Sequence, residues 1–470
     1  MRAHFIVAVL VAVAGCGGAK GLPDGGSGGG SAGGAGGGSA GGAAGGSGGG
    51  SAGGAGGGMA GGSGGGSAGG SGDGGIATDT AVIRVHYPVG SHTLTLRGAQ
   101  SPLSWTAGAS LTAGSNDTWS YELTGVTAPV EFKPMLDNTN WSRGPNYHAV
   151  PGRAVDIYPH FTSTKGSVTT LISGFHSTVL NNNRDVYAYF PASYAENTDA
   201  NYPVVYMHDG QNLWAALPQL AFGATWNVDT AFDSASETGV CAGNGQVGWA
   251  AAPLGGSPAT CTGDGDCGAG GSCRTFPEAI VIAPGNTSQR IYEYTPTQDQ
   301  VPPDGGSPTP GGGGGDLYIQ MLVNELKPKI ESMTLNGQPL RVKTDAAHTA
   351  LCGSSLGGLI SAYAGTTRPD IFGLIGAVSP STWWDMDVII ADVQSTHAAT
   401  VRPLRVYVDS GGNGQDDQAD TDLLSAAYLQ LGYIEGINYH HVVQNGATHS
   451  EVYWAQRFPG AMQVLLGERP

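Results

Sequence analysis

His348-Thr349-Ala350-Leu351-Cys352-Gly353-Ser354-Ser355-Leu356-Gly357-Gly358-Leu359 is the stretch that decides the fold class. An apolar run leads into Gly-x-Ser-x-Gly around Ser355, and small and apolar residues with a helical pattern follow. Strand, sharp turn and helix in that order stand a serine at the carboxyl edge of a sheet, with the first turn of a helix behind it. Gly353 and Gly357 let strand and helix backbones close around Ser355. Context carries this reading. Gly45-Gly46-Ser47-Gly48-Gly49 satisfies the same five-residue pattern inside a low-complexity tract, where nothing strand-like or helical flanks it.

Outward from this turn, strands and helices alternate, which predicts an α/β domain with a mostly parallel sheet flanked by helices. Strands are expected at 185–190, 203–208, 279–283, 373–378, 404–408 and 439–443, and helices at about 316–330, 419–431 and 451–466. Upstream, 82–86, 93–96, 118–123, 130–133 and 154–158 read as short strands separated by turn residues, with no helical period. They predict a small all-β sandwich. The expected organisation is an export signal at 1–16, a linker at 17–78, the sandwich at 79–163 and the α/β domain at 164–470, with a cysteine-bearing insertion at 240–276.

Many of the 81 glycines in this 470-residue chain lie between about Gly25 and Gly75, in a tract of Gly, Ser and Ala. Such a segment buries too little apolar surface to offset its ordering entropy. As a flexible coil it reaches about 40 Å end to end. The formal charge of −17, without a basic cluster, argues against nucleic acid or an anionic membrane surface as a partner. Arg2, the apolar run Phe5 to Val13, and Val13-Ala14-Gly15-Cys16 form a short signal, too short to span a bilayer. These residues resemble the lipobox of bacterial lipoproteins, in which the cysteine becomes the lipidated first residue. Gly17, not aspartate, follows Cys16, so an outer-membrane lipoprotein of the cell envelope is expected, touching the membrane through the lipid alone.

Cys241, Cys261, Cys267 and Cys273 fall in one loop-like segment and fit an oxidising compartment. They allow three disulfide pairings, among which the sequence does not choose. No Cys-x-x-Cys pair occurs there, so disulfides are favoured over zinc, and Asp264 and Asp266 make only a weak case for calcium. Cys352 reads as a buried small hydrophobe.

In the sandwich, Glu131-Phe132-Lys133 and Trp141-Ser142-Arg143-Gly144-Pro145-Asn146-Tyr147 resemble the starch-binding type of carbohydrate-binding module. That family places an arginine after the asparagine, where Tyr147 stands here. The expectation is therefore that Trp105 and Trp141 fill the sandwich core or its contact with the next domain.

A serine hydroxyl needs a base to attack an ester, and the base needs an orienting acid. In α/β-hydrolases the chain order is serine, acid, histidine. His449 lies just beyond the last strand in Gln444-Asn445-Gly446-Ala447-Thr448-His449, where the base belongs. The acid is sought in Asp409-Ser410-Gly411-Gly412-Asn413-Gly414-Gln415-Asp416-Asp417. Asp416 and Asp417 lie deeper in this loop than Asp409 and are preferred in that order; Asp409 is expected to brace the strand end. The oxyanion needs backbone N–H donors already aimed at it. Those expected are Leu356, which follows the nucleophile, and Gln211, in His208-Asp209-Gly210-Gln211-Asn212.

Tyr206 to Trp214, Arg290-Ile291-Tyr292-Glu293-Tyr294-Thr295-Pro296, Gly353 to Gly358, Ser379-Pro380-Ser381-Thr382-Trp383-Trp384 and the His449 motif with Trp454 resemble the esterase D, enterochelin-esterase-like and feruloyl-esterase-like family of α/β-hydrolases. The resemblance runs from about Val179 to Leu466. It implies an α/β-hydrolase fold and a Ser–His–Asp carboxylesterase without cofactor or metal, acting on small-molecule or saccharide esters. Asp209, Arg290, Trp383 and Trp384 are its expected substrate-side residues, with Arg290 paired to Glu293 to hold a loop. Three alternatives are an acyltransferase on the same fold, a siderophore esterase, and a carbohydrate-binding lipoprotein whose hydrolase domain has decayed.

Overall fold

A computed structural model describes residues 75–243, 246–247, 259–300, 308–396, 401–414 and 416–470. The export signal, Cys16, the linker as far as residue 74, and Gln415 lie outside the described residues. Among the described residues no helix is long and apolar enough to cross a membrane.

The sandwich begins with β1 (Thr80–His86), where Ala81, Ile83 and Val85 are buried in alternation, as a half-buried strand requires. It continues with β2 (Leu94–Gly98), β3 (Thr118–Thr124), β4 (Val130–Leu136), β5 (Tyr147–Ala149) and β6 (Ala154–Ile157). In one sheet β1 pairs antiparallel with β3 and parallel with β6; in the other β4 pairs antiparallel with β2 and β5. Ile83, Leu96, Leu123, Phe132 and Ile157 fill the space between them.

Trp105 and Trp141 are not in that core, the first of the two places expected for them. Trp141 sits on a two-residue strand paired to the end of β4 at the margin of its sheet, and 37% of it is exposed. Its ring lies 6.2 Å from the half-buried Trp105, and the Arg97 guanidinium lies 5.2 Å from its centroid. Phe132 and Tyr147, stacked at 5.8 Å, occupy the inward space instead, and Arg469 from the chain's end caps Tyr147 at 4.3 Å. Tyr147 thus serves docking against the second domain.

The second domain has an eight-stranded sheet. Its strands are β7 (Ser167–Ser177), β8 (Asn182–Phe190), β9 (Val204–Met207), β10 (Ile280–Pro284), β11 (Thr349–Ser355), β12 (Leu374–Pro380), β13 (Arg405–Gly412) and β14 (Tyr439–Asn445). The order is β7-β8-β10-β9-β11-β12-β13-β14. β8 runs antiparallel to β7 and β10, and all later neighbours are parallel. β9 to β12 are buried nearly throughout, as expected for a parallel sheet covered on both faces. On one face α1 (Val228–Glu237) contributes Phe232, and the final helix contributes Trp454, Phe458, Met462 and Leu465. The other face is covered by Tyr318, Leu359, Ile360, Ile389, Leu424 and Tyr428 from four helices.

The helix expected at 316–330 is interrupted. Gly315–Met321 is α-helical, Leu322–Leu326 is a π-turn, and Lys327–Glu331 resumes the α-helix with Pro328 in its first turn. Pro328 has no N–H to donate and would clash with a regular preceding turn, so the backbone widens there.

The insertion holds two disulfides, Cys241–Cys267 and Cys261–Cys273. It faces the sandwich: Asn146 N–H donates to Thr262 O at 2.8 Å, and Asp264 N–H donates to Glu131 Oε1 at 2.7 Å.

Candidate active site

Ser355 ends β11 and caps α5 (Leu356–Thr367), with φ 58° and ψ −126°, a backbone conformation rarely tolerated by a residue with a Cβ. The neighbouring glycines explain how the turn closes. A Cβ on Gly353 would lie 2.6 Å from the His208 ring, and one on Gly358 would lie 2.9 Å from Val378 O. Ser355 Oγ lies 3.3 Å from Ser381 Oγ, and Ser381 N–H donates to Ser355 O at 3.0 Å. The elbow is therefore tied to the strand end beside it. The N–H of Leu356 is the first of α5, one of the four that have no partner within the helix.

His449 follows Gly446, whose φ of 79° turns the chain away from β14. Its Nδ1 lies 2.7 Å from Asp416 Oδ1, and its ring meets Trp454 edge-on at 5.0 Å. No hydrogen bond joins Ser355 Oγ to His449 among the described residues. The Asp416 side chain is 1% exposed. Its Oδ2 accepts from Ser379 Oγ at 2.5 Å and from Gly411 N–H at 2.9 Å. Burial would raise this carboxyl, but the hydrogen bonds from His449, Ser379 and Gly411 outweigh it and bring it down to about 2.

The other two aspartates go elsewhere. Asp417 does not reach His449: its N–H donates to Asp416 Oδ1 at 3.0 Å, and it stands at the head of α7 (Gln418–Gln430). Burial, then the neighbouring Asp420, Asp416 and Asp387, push its carboxyl up to about 7. Asp409 is fully buried, accepts from Ser379 N–H and Tyr407 Oη at 2.9 Å each, and ion-pairs with Arg457 at 2.9 Å. It braces the strand end.

The loop after β9 carries the second expected oxyanion donor. Asp209 is left-handed at φ 56°, and a Cβ on Gly210 would stand 2.3 Å from Ala283 O. Asn286 N–H donates to Gln211 Oε1 at 3.1 Å, which fixes that side chain away from its own backbone N–H. Arg290 grips Asp209 with Nε at 2.7 Å and Nη2 at 2.9 Å, and Asn286 Nδ2 adds a third bond at 2.5 Å. The expected Arg290–Glu293 pair is not formed. Glu293, fully buried, binds Arg184 through both carboxylate oxygens. Beneath the loop, burial pushes the His208 imidazole down to about 3; Tyr318 Oη and Ser361 Oγ flank it at 3.0 and 3.1 Å.

Of the two tryptophans expected on the substrate side, only Trp383 faces solvent, at 41% exposure. Trp384 is fully buried in the core cluster on one face of the sheet, with Nε1–H donating to Thr297 O at 3.1 Å. Ser379 and Arg457 were missed by sequence reasoning. Arg457 had a signal: it is a charge on the inner face of α8 (Glu451–Leu466), between Trp454 and Phe458 on one side and Ala461 on the other.

Glu131, His148 and Asp264 each bring one potential ligand atom within 4.8 Å of the others, at the seam between sandwich and insertion. His148 Nε2 lies 3.1 Å from Asp264 Oδ2, and Cys273 N–H donates to Oδ1, so Asp264 is already engaged by protein groups.

A serine on a strained strand-to-helix turn, at the carboxyl edge of a mostly parallel sheet with an imidazole–carboxylate pair beyond later strand ends, defines a hydrolase of α/β-hydrolase fold. Residues 274–465 match the family described as Putative esterase. Over that stretch the chain resembles this family, and it is a carboxylic ester hydrolase. It is 27% identical over 203 residues to the uncharacterized protein YbbA of Bacillus subtilis, a match covering 41% of this chain and 75% of that protein. It is 33% identical over 110 residues to the siderophore enterobactin esterase of Emericella nidulans, covering 23% of this chain and 34% of that one. This match therefore spans about a third of the siderophore esterase's length. Among solved structures, the IroE-like serine hydrolase of Shewanella oneidensis aligns with a TM-score of 0.42 at 20% identity, over 64% of this chain and 80% of that one.

Proposed function

We propose that the protein is a serine carboxylesterase working through Ser355, His449 and Asp416. The observation that carries this is the 2.7 Å contact of His449 Nδ1 with a buried, ionised Asp416, on the same sheet edge as the strained Ser355. His449 Nε2 takes the proton of Ser355 Oγ as that oxygen attacks the ester carbonyl. The backbone N–H groups of Leu356 and Gln211 receive the oxyanion. Collapse of the tetrahedral intermediate expels the alcohol, which takes the proton from His449. Water, activated by the same imidazole, then releases the acid and regenerates Ser355. Closing the Ser355–His449 gap belongs to substrate binding, since catalytic hydrogen bonds are often long before the substrate arrives.

The substrate class proposed is acylated saccharide or a related small ester outside the cytoplasm, on a protein anchored through Cys16. The exposed Trp141, with Trp105 and Arg97 beside it, supports a sugar-facing sandwich. The match to a siderophore enterobactin esterase favours a second reading, a polyester lactone of an iron-binding siderophore. Ser355→Ala tests the chemistry: it is expected to abolish hydrolysis of short p-nitrophenyl esters in a folded protein, and retention of more than about a tenth of kcat rejects Ser355 as nucleophile. A panel of acetyl, feruloyl and siderophore esters, ranked by kcat/KM, separates the substrate readings.

A further inference from the structure

Asp416 does not stand alone behind His449. Its Oδ2 accepts the hydroxyl of Ser379 at 2.5 Å, and Ser379 Oγ in turn accepts Arg457 Nη2–H at 2.7 Å. Arginine only donates, so its hydrogen bond occupies a lone pair of Ser379 Oγ and leaves the single hydroxyl proton directed at Asp416. Arg457 is itself fixed on three sides: Nε faces Asp409 at 2.9 Å, Nη1 donates to Gln444 Oε1 at 2.9 Å, and Nη2 holds Ser379. Only 4% of its side chain is exposed. The Ser379 backbone has φ 37°, a left-handed value, and its N–H donates to Asp409 Oδ1. Asp409 thereby anchors both ends of the arrangement, the Ser379 backbone and the Arg457 guanidinium.

We infer that Ser379 and Arg457 are positioning residues for the triad acid: Arg457 orients the Ser379 hydroxyl, and that hydroxyl fixes the second oxygen of Asp416, aiming the first at His449. The inference rests on the triad proposed above. It assigns a purpose to a strained non-glycine backbone and to a buried arginine that otherwise contribute nothing to catalysis. The charged and titratable groups around Asp416 are His449 from the β14–α8 loop, Arg457 from α8, and Asp417 in its own loop, with Asp409 and Tyr407 of β13 behind Arg457. Removing the Ser379 donor leaves a more basic Asp416 carboxylate, which holds the imidazolium of His449 more tightly. The acid limb of kcat/KM then moves to higher pH, an effect that loose packing alone does not produce.

The test compares wild type, Ser379→Ala, Ser379→Cys, Arg457→Lys and Asp416→Asn on one p-nitrophenyl ester across pH, with melting temperatures alongside. Ser379→Ala is expected to lose about tenfold in kcat at little-changed KM, the scale of one hydrogen bond to a charged group, with its acid limb shifted upward. Ser379→Cys, a weaker donor in the same place, should fall between it and wild type, and it decides by the same readouts if the alanine variant does not fold. Arg457→Lys keeps the charge but offers one nitrogen in place of three, and it should shift the limb in the same direction. Wild-type kcat and an unmoved acid limb in the Ser379 variants, with Asp416→Asn impaired, overturn the positioning role and leave the triad standing. An unmoved limb in Arg457→Lys alone removes Arg457 from it. Full activity in Asp416→Asn fails the triad reading itself.

Discussion

Asp416 Oδ1 and His449 Nδ1 lie 2.7 Å apart across 33 residues of sequence, and neither neighbouring aspartate approaches the imidazole. The three carboxylates therefore have separable consequences. Asp416→Asn is expected to lower kcat by about three to four orders of magnitude, the scale seen when a triad loses the acid that orients its base. Asp417→Asn should leave turnover near wild type. Asp409→Asn should act on stability, by about 3–5 kcal/mol, because it strands the buried Arg457. Steady-state rates and denaturant melts of the three variants check the ranking; equal losses of kcat in Asp416→Asn and Asp417→Asn would contradict it.

The Asp417 carboxyl gives a pH signature. Burial, then Asp420, hold it at about 7 in the folded chain, above its unfolded value. Protonation thus favours the native state. The stabilisation is complete below the unfolded carboxyl range and is lost as pH rises through about 7. Asp417→Asn should match wild type in melting temperature at acid pH and exceed it above neutrality. Identical melting curves at alkaline pH would show that the carboxyl carries no such penalty.

Arg290 grips Asp209, on the loop proposed to hold the oxyanion, through two nitrogens. Arg290→Gln should therefore loosen the Gln211 N–H and reduce kcat alike for neutral and anionic esters. A loss confined to KM, and only for anionic substrates, would instead place the guanidinium on the substrate.

What the sequence yielded depended on whether a feature lies in pattern or in contact. The buried parallel strands β9 to β12 announce themselves as apolar runs between turn residues, and Gly353 and Gly357 mark a close approach that the structure bears out, since a Cβ on either would press on His208. The edge strand β7 does not: Ser167-Val168-Thr169-Thr170-Leu171-Ile172-Ser173 lacks apolar alternation because much of it faces solvent. Reach into the loop sets Asp416 and Asp417 apart from Asp409, but the one-residue choice between the first two is decided by backbone turns that composition does not encode. The tryptophans failed in the same way. Trp141 and Trp384 are equally apolar on paper, yet one lies on a marginal strand and the other under a helical layer.

Trp141 gives the last prediction. Its exposure and its place on an edge strand mean that truncation opens no core cavity, so Trp141→Ala should change stability by under about 1 kcal/mol, the scale of a surface substitution plus one exposed cation–π contact with Arg97. If the Trp141–Trp105 face stacks on sugar, the same variant should be recovered less well on insoluble polysaccharide while hydrolysing a small soluble ester at the wild-type rate. Pull-down and melting temperature on one preparation resolve the matter. Unchanged recovery at unchanged melting temperature removes the sugar-facing role from the sandwich, and a large drop in melting temperature would mean that the tryptophan supports the fold after all.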